Sequence, residues 1–192
     1  MKNKKILSLI LIIVTALTLM TSCSSSENAG NDIEAPEGTV GVTNDAIHFT
    51  VCYPQNWVCD RNDGLVSISP PGDSESKATI SVHESSALSE AITPEDYWDK
   101  AKEELETSGN KCNFLDGKER TLGGEKAWQV TYVIEVGGNS YKVTQVFAYK
   151  SMDKSHRVFT VTFTGTEDDY GNKDIASAFN TIMNTFAFKA EA

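Results

Sequence analysis

Residues 127–149 read AWQVTYVIEVGGNSYKVTQVFAY and carry the clearest structural signal in the chain. β-branched and aromatic residues fill both halves of this stretch, which is typical of neighbouring strands in an antiparallel sheet. Between the halves, Gly137-Gly138-Asn139 supplies residues that accept the backbone angles of a tight hairpin turn. The stretch therefore predicts two long antiparallel strands joined by a short turn.

Shorter alternating segments lie on both sides of this hairpin. Phe49, Val51 and Tyr53 alternate onto one face of a first strand, and Pro54-Gln55-Asn56 follows as a turn. The first third of the body is predicted as a meander of antiparallel strands, and one more strand follows the hairpin. The further strands are predicted at residues 57–59, 65–69, 78–83 and 157–164.

Two helices are predicted between and after the strands. Thr93-Pro94-Glu95-Asp96 combines a capping hydroxyl, a proline at the first helical position and two acids at the positive end of the helix dipole. This helix is expected to end near Thr107, and a second one is expected over residues 172–184. The order of elements predicts an α+β fold, in which helices flank an antiparallel sheet.

The N-terminus reads as a secretory signal. Lys2, Lys4 and Lys5 precede about fifteen mostly apolar residues, and Leu19-Met20-Thr21-Ser22-Cys23 resembles a bacterial lipobox. We therefore expect residues 1–22 to be a lipoprotein signal peptide and Cys23 to be the lipidated first residue of the mature chain. The alternative is an ordinary cleaved signal peptide followed by an incidental cysteine.

A polar tether is predicted after the signal. Residues 23–39 are rich in Ser, Gly, Asn and acidic residues, which cannot bury enough apolar surface to fold. Residues 40–192 show no internal repeat and no second linker, so they are predicted to form a single domain. The expected location is the extracytoplasmic face of the cell membrane, with the lipid bilayer as a partner through acylated Cys23.

The charge of the chain excludes one class of partner. The 192 residues carry a formal net charge of −10, and the signal peptide contributes only basic residues, so the remainder is more acidic still. Phosphate binding requires the opposite sign, and we therefore expect no nucleic-acid partner.

Three cysteines remain in the body of the chain. A hairpin about Gln55-Asn56 would place Cys52 directly opposite Cys59, and this arrangement permits a disulfide if the two Cβ atoms approach to about 4 Å. The alternative is that the same two residues remain free thiols. Cys112 has no evident partner and is expected to act as a small, buried apolar residue just after the first helix.

No spacing in the chain indicates a metal or a catalytic centre. His48, His83 and His156 lie on or beside separate strands, and Glu167-Asp168-Asp169 with Asp174 lacks the pattern of a calcium loop. These acids are expected to form a solvated turn. The sequence lacks the local motifs of serine hydrolases, phosphate-binding loops and zinc proteases, so we predict no metal, no cofactor and no catalytic residues.

The order of these signals resembles the PsbP-like family, within the Mog1/PsbP group of α-β-α sandwiches. The resemblance covers residues 45–188 and is carried by the stretch from Phe49 to Trp57, by Ile68-Ser69-Pro70, by the long hairpin, by Val158 to Thr164 and by the terminal helix. It implies an antiparallel sheet between helices, no known catalytic residues, and a role as an accessory protein that docks on membrane assemblies.

These observations favour one function over a rival. The favoured reading is a lipid-anchored extracytoplasmic accessory or binding module without catalytic activity, which docks on an unknown membrane or envelope protein. The alternative is a small secreted hydrolase or ligand-processing enzyme at the cell surface. That alternative requires carboxylates or histidines that converge in a cleft, which only a structure can reveal.

Overall fold

A computed structural model describes residues 34–43, 47–62, 64–72, 74–152 and 155–189. The predicted signal peptide and Cys23 lie outside the described residues. The strands are β1 (Thr39–Val42), β2 (Phe49–Pro54), β3 (Val58–Asn62), β4 (Leu65–Ser69), β5 (Thr79–Glu84), β6 (Lys111–Leu122), β7 (Glu125–Val136), β8 (Asn139–Met152), β9 (Ser155–Gly165) and β10 (Ala187–Phe188). The helices are α1 (Pro94–Thr107), α2 (Glu167–Gly171) and α3 (Lys173–Thr185).

Seven strands form one antiparallel sheet in the order β3-β4-β5-β9-β8-β7-β6. The predicted hairpin is confirmed within this sheet as β7 and β8, because Val136 pairs with Asn139 across a two-residue turn. Gly137 and Gly138 have φ angles of +58° and +82° in that turn, which residues with a Cβ rarely adopt. The strand predicted at residues 157–164 is also confirmed as the core of β9.

Helices cover both faces of this sheet. Helix α1 packs on the face formed by β6, β7 and β8, where Trp98, Ala101 and Leu105 join its apolar core. Helix α3 packs on the opposite face, where five of its apolar residues are buried: Ile175, Ala178, Phe179, Ile182 and Met183. The molecule is therefore an α+β fold with an α-β-α arrangement, as the sequence predicts.

The predicted hairpin between β2 and β3 is wrong. Strand β2 pairs with β1 and β10 in a separate three-stranded sheet, whereas β3 begins the edge of the seven-stranded sheet. Cys52 consequently lies opposite Gly41, and Cys59 lies opposite Ile68. Both are free thiols, so the geometry on which the predicted disulfide depended is absent.

The acidic stretch after β9 also differs from the predicted solvated turn. Residues 167–171 form the short helix α2, which begins with a capping box between Thr166 and Asp169. Asp169 is buried, and its Oδ1 accepts a hydrogen bond of 2.6 Å from Ser76 Oγ. This carboxylate therefore holds the loop before β5 against α2.

Within the described residues, no helix is long and apolar enough to cross a membrane.

Candidate binding groove

A groove of about 800 Å³ separates α1 from one end of the seven-stranded sheet. We call it the α1 groove. Most of the exposed surface inside it is apolar, while charged side chains stand around it. The residues that line it are Ala91, Ile92, Thr93, Pro94, Asp96, Asp99, Lys100, Glu103, Glu125, Lys126 and Tyr149.

The position of α1 follows from its sequence. Thr93 caps the helix by accepting a hydrogen bond from the backbone N–H of Asp96, and Pro94 occupies the first turn. The indole of Trp98 then stacks on Tyr132 and Phe147, with ring centroids 5.7 and 5.9 Å apart. Trp98, Ala101 and Leu105 form the buried apolar side of α1. The opposite, charged side of its first three turns therefore faces solvent and the groove.

Tyr149 supplies an aromatic side chain on the sheet side of the groove. Its hydroxyl lies 2.7 Å from Nδ1 of His156, and the two rings stack with centroids 5.7 Å apart. The backbone of His156 is held in turn, because its carbonyl accepts a 2.7 Å hydrogen bond from the N–H of Leu88. Tyr149 is therefore held in place by His156.

Two of the acids beside the groove already have partners. Oδ2 of Asp96 accepts a 2.7 Å hydrogen bond from the Thr93 hydroxyl, as part of the helix cap. Glu125 forms an ion pair with Lys150 on the neighbouring strand. These two carboxylates therefore help to build the groove.

Four other charged groups around the groove have no ion pair or side-chain hydrogen bond within the described part of the chain. They are Asp99, Lys100 and Glu103 on α1 and Lys126 at the start of β7. Asp99 and Glu103 lie one helical turn apart on the same side of α1. The helix side of the groove is thus mainly acidic, and the sheet side contributes a lysine.

A second, smaller cleft of about 550 Å³ lies beside the Pro54-to-Trp57 turn. Trp57, Pro70 and Pro71 line one side of it, and the first turns of α3 line the other. Trp57 is half-buried and packs against the core on the α3 side of the sheet. We call this the Trp57 cleft.

The α1 groove and the Trp57 cleft lie at opposite ends of the seven-stranded sheet. Tyr149 pairs with Val158 near the start of β9, whereas the β4–β5 connection that borders the cleft meets β9 near Thr164. Six residues of strand span about 20 Å. The segment that leads into β1 reaches the cleft end, since the carbonyl of Gly38 accepts a 3.0 Å hydrogen bond from the N–H of Gln55.

The three histidines do not converge on one site. His48 Nδ1 lies 2.7 Å from Oε1 of Glu84, a buried carboxylate that also binds Arg157. His156 contacts Tyr149, as described above. His83 Nδ1 is buried and has no hydrogen-bond partner among the described residues, and burial lowers the pKa of this histidine. No group of three or more metal-ligating side chains occurs among the residues that the structure describes.

The three described cysteines lie in separate surroundings. Burial raises the pKa of the Cys52 thiol, and a hydrogen bond with Thr185 opposes this rise. Burial likewise raises the pKa of Cys59, which contacts Arg61 and Tyr53. The pKa of Cys112 is raised by burial and by the nearby Glu106 carboxylate. All three thiols are therefore poor nucleophiles at neutral pH.

Several solved structures share this fold. LpqN of Mycobacterium tuberculosis, described as involved in cell envelope biogenesis, aligns with a TM-score of 0.57 and 20% identity over 79% of this chain and 91% of LpqN. The PsbP protein of Synechocystis sp. PCC 6803, CyanoP, aligns with a TM-score of 0.56 and 16% identity over 86% of this chain and 98% of CyanoP. PA94 of Pseudomonas aeruginosa, a protein of unknown function, aligns with a TM-score of 0.50 and 16% identity over 72% of this chain and 90% of PA94.

Comparisons by sequence give a different result from comparisons by structure. No protein-family model matches the chain, and no curated protein matches it. At identities of 20% and below, the structural matches establish the fold alone. The fold is PsbP-like, as the resemblance in the sequence predicts.

Proposed function

We propose that this protein is an extracytoplasmic accessory module that acts by binding rather than by catalysis. Acylated Cys23 holds it at the membrane, and the α1 groove docks on a membrane or envelope protein. The observation that carries the proposal is the groove itself, because it combines an apolar interior, charged groups that have no partner in the described part of the chain, and an aromatic side chain held by His156.

The arrangement of the two ends of the sheet supports this role. Residues 36–38 lie at the end with the Trp57 cleft, and the α1 groove opens at the other end. A tether that arrives at the cleft end leaves the groove free to face away from the bilayer. The fold is also shared with LpqN, a protein involved in cell envelope biogenesis, and with CyanoP.

The anchor is tested by replacing Cys23 with alanine. The wild-type protein is expected in the membrane fraction and the Cys23→Ala variant in the released fraction. Retention of the variant at the membrane, after washing at high salt, would overturn the lipid anchor.

The docking role is tested by chemical crosslinking on intact cells that express the lipidated protein, followed by affinity capture and mass spectrometry. We expect one near-stoichiometric envelope protein with crosslinks that map to α1 or to the strand ends around Tyr149. Crosslinks that map only to other surfaces, or no capture above the Cys23→Ala background, would refute docking through the groove.

A further inference from the structure

We propose that the α1 groove accepts an extended, basic segment of the partner, with two lysine or arginine residues at alternate positions and an aliphatic residue between them. This inference rests on the proposed function, because it names the chemistry of the partner that the groove would bind.

Helix α1 is strongly acidic. It contains two lysines and six acids, which are Glu95, Asp96, Asp99, Glu103, Glu104 and Glu106. Its last turn contains no basic residue, although the helix dipole favours cations there. The dipole and the cap explain Glu95 and Asp96 at the start of the helix, but they do not explain the acids of its middle and end.

Asp99 and Glu103 form a like-charge pair in the middle of this helix. They are four residues apart, a spacing at which like charges destabilise an isolated helix by roughly 0.2 to 0.5 kcal/mol. Neither carboxylate has an ion pair or a hydrogen bond with another described side chain, and both line the groove. Lys100 lies one helical turn before Glu103 and also lines the groove, so it offsets part of this repulsion, and cationic groups placed in the groove would relieve the remainder.

The spacing of the two carboxylates selects an extended segment. Residues four apart in an α-helix are separated by about 6 Å along the axis. Alternate residues of an extended chain are separated by about 6.6 Å and project to the same side. Two basic residues separated by one position therefore match Asp99 and Glu103, whereas adjacent basic residues project to opposite sides.

The far side of the groove suits the intervening residue. That residue projects away from α1, toward the side on which Tyr149 and Lys126 lie. The stacked and hydrogen-bonded ring of Tyr149 offers apolar contact at little cost in side-chain entropy. Lys126 repels a second basic group on this side, and Glu125 is already bound to Lys150. An aliphatic residue therefore fits there better than a charged one.

The test is a titration of the full mature, lipidated protein in zwitterionic nanodiscs with synthetic peptides. The matching probe is Gly-Lys-Leu-Lys-Leu-Gly, and its reordered control is Gly-Lys-Lys-Leu-Leu-Gly. We expect the matching peptide to bind at least tenfold more tightly than the reordered one at low salt. Equal affinity for both peptides would overturn the proposed spacing.

Charge reversal tests the two acids directly. The Asp99→Lys/Glu103→Lys variant should lose at least tenfold in affinity for the matching peptide and should gain affinity for Gly-Glu-Leu-Glu-Leu-Gly. The matched control, Glu37→Lys/Glu75→Lys, changes the net charge equally at two other exposed acids and should change affinity less than twofold. An equal loss in both variants would show attraction by net charge alone and would overturn the site.

The same reversal separates this inference from the proposed function. If the Asp99→Lys/Glu103→Lys protein still crosslinks its envelope partner through the groove in cells, docking stands and the basic segment is wrong. If the wild-type protein captures no partner, the proposed function fails regardless of how the peptides bind. Loss of the partner in the reversal variant, with retention in the control variant, supports both.

Discussion

Oε1 of Glu84 lies 2.8 Å from Nη1 of Arg157 and joins the end of β5 to the start of β9. The carboxylate is 3% exposed, and its Oε2 accepts a 2.8 Å hydrogen bond from the backbone N–H of His48. Because His48 precedes β2, this single side chain ties the three-stranded sheet to the seven-stranded one. Loss of the carboxylate should therefore affect the whole fold.

The Glu84→Ala variant should be destabilised by about 3 kcal/mol, because it removes the buried carboxylate that pairs with Arg157 and accepts from the backbone N–H of His48, and leaves the guanidinium with the Ser85 carbonyl as its acceptor. Urea unfolding of the wild type and the variant would measure this loss. Glu75→Ala, at an exposed acid, is the control and should change the free energy of unfolding by less than about 0.5 kcal/mol. Similar losses in both variants would contradict the role of Glu84.

The sequence predicts the central sheet and the two long helices because their signals are local. The double-glycine turn, the Thr93 cap and the apolar stripe of α3 each lie within a few residues. It does not predict β1 and β10, which are four and two residues long and depend on pairing with β2. The charged stretch of β6 likewise forms a strand through its partner β7.

The site is less predictable than the fold for the same reason. The acidic side of α1 is visible in the sequence as a solvated helix face, but nothing local places it beside Tyr149. That proximity depends on the register of β8 against β9 and on the contact between Trp98 and Phe147. Cys52 and Cys59 do not lie opposite each other because β2 pairs with β1 and β10 and not with β3. That pairing depends on long-range packing, which no local sequence signal reports.

Tyr97 should make stability sensitive to alkaline pH. Burial, with a smaller contribution from Glu104, raises the pKa of Tyr97 to about 12 from 10.0. The folded state therefore favours the neutral phenol, and this contribution is complete below pH 10 and is lost as the pH rises toward 12. The loss within that window is at most about 1.4 kcal/mol for each pH unit.

The effect of Tyr97 can be isolated by comparison with Tyr97→Phe. Chemical unfolding at pH 9 and pH 11.5 should show a larger loss of stability for the wild type than for the variant, because phenylalanine does not ionise. Equal losses would mean that Tyr97 does not titrate in this range. Tyr170, whose pKa is also raised by burial, contributes equally to both proteins and cancels in the comparison.

All described cysteines should titrate as free thiols. Cys52, Cys59 and Cys112 are unbridged, and β2 and β3 belong to different sheets. A thiol assay on the unreduced, denatured mature protein should therefore find three free thiols when Cys23 is blocked by the proposed thioether. A count of one would restore the bridge between Cys52 and Cys59. In the native protein the reaction should be slower, since burial raises the pKa of each thiol.

The turn between β6 and β7 offers a matched pair of glycines. Gly123 and Gly124 both have positive φ angles, +56° and +84°, so an alanine at either position costs roughly 1 to 2 kcal/mol of backbone strain. Their surroundings differ. A Cβ at Gly123 would lie 2.8 Å from the ring of Phe188 and 3.0 Å from that of Phe186, whereas a Cβ at Gly124 would meet no atom within 4 Å.

Gly123→Ala should consequently be the more damaging substitution, by about 1 to 3 kcal/mol, the usual cost of overpacking a filled site. Phe188 cannot yield freely, because its ring packs edge-on against Phe159 and Phe186 at 5.0 Å. Urea unfolding of the two alanine variants would measure the difference in their free energies of unfolding. This difference reports the clash with the phenylalanine rings, because the cost of backbone strain at positive φ is common to both variants. If their stabilities agree within about 0.5 kcal/mol, β10 does not hold this turn, and the closure of the small sheet against β6 would have to be revised.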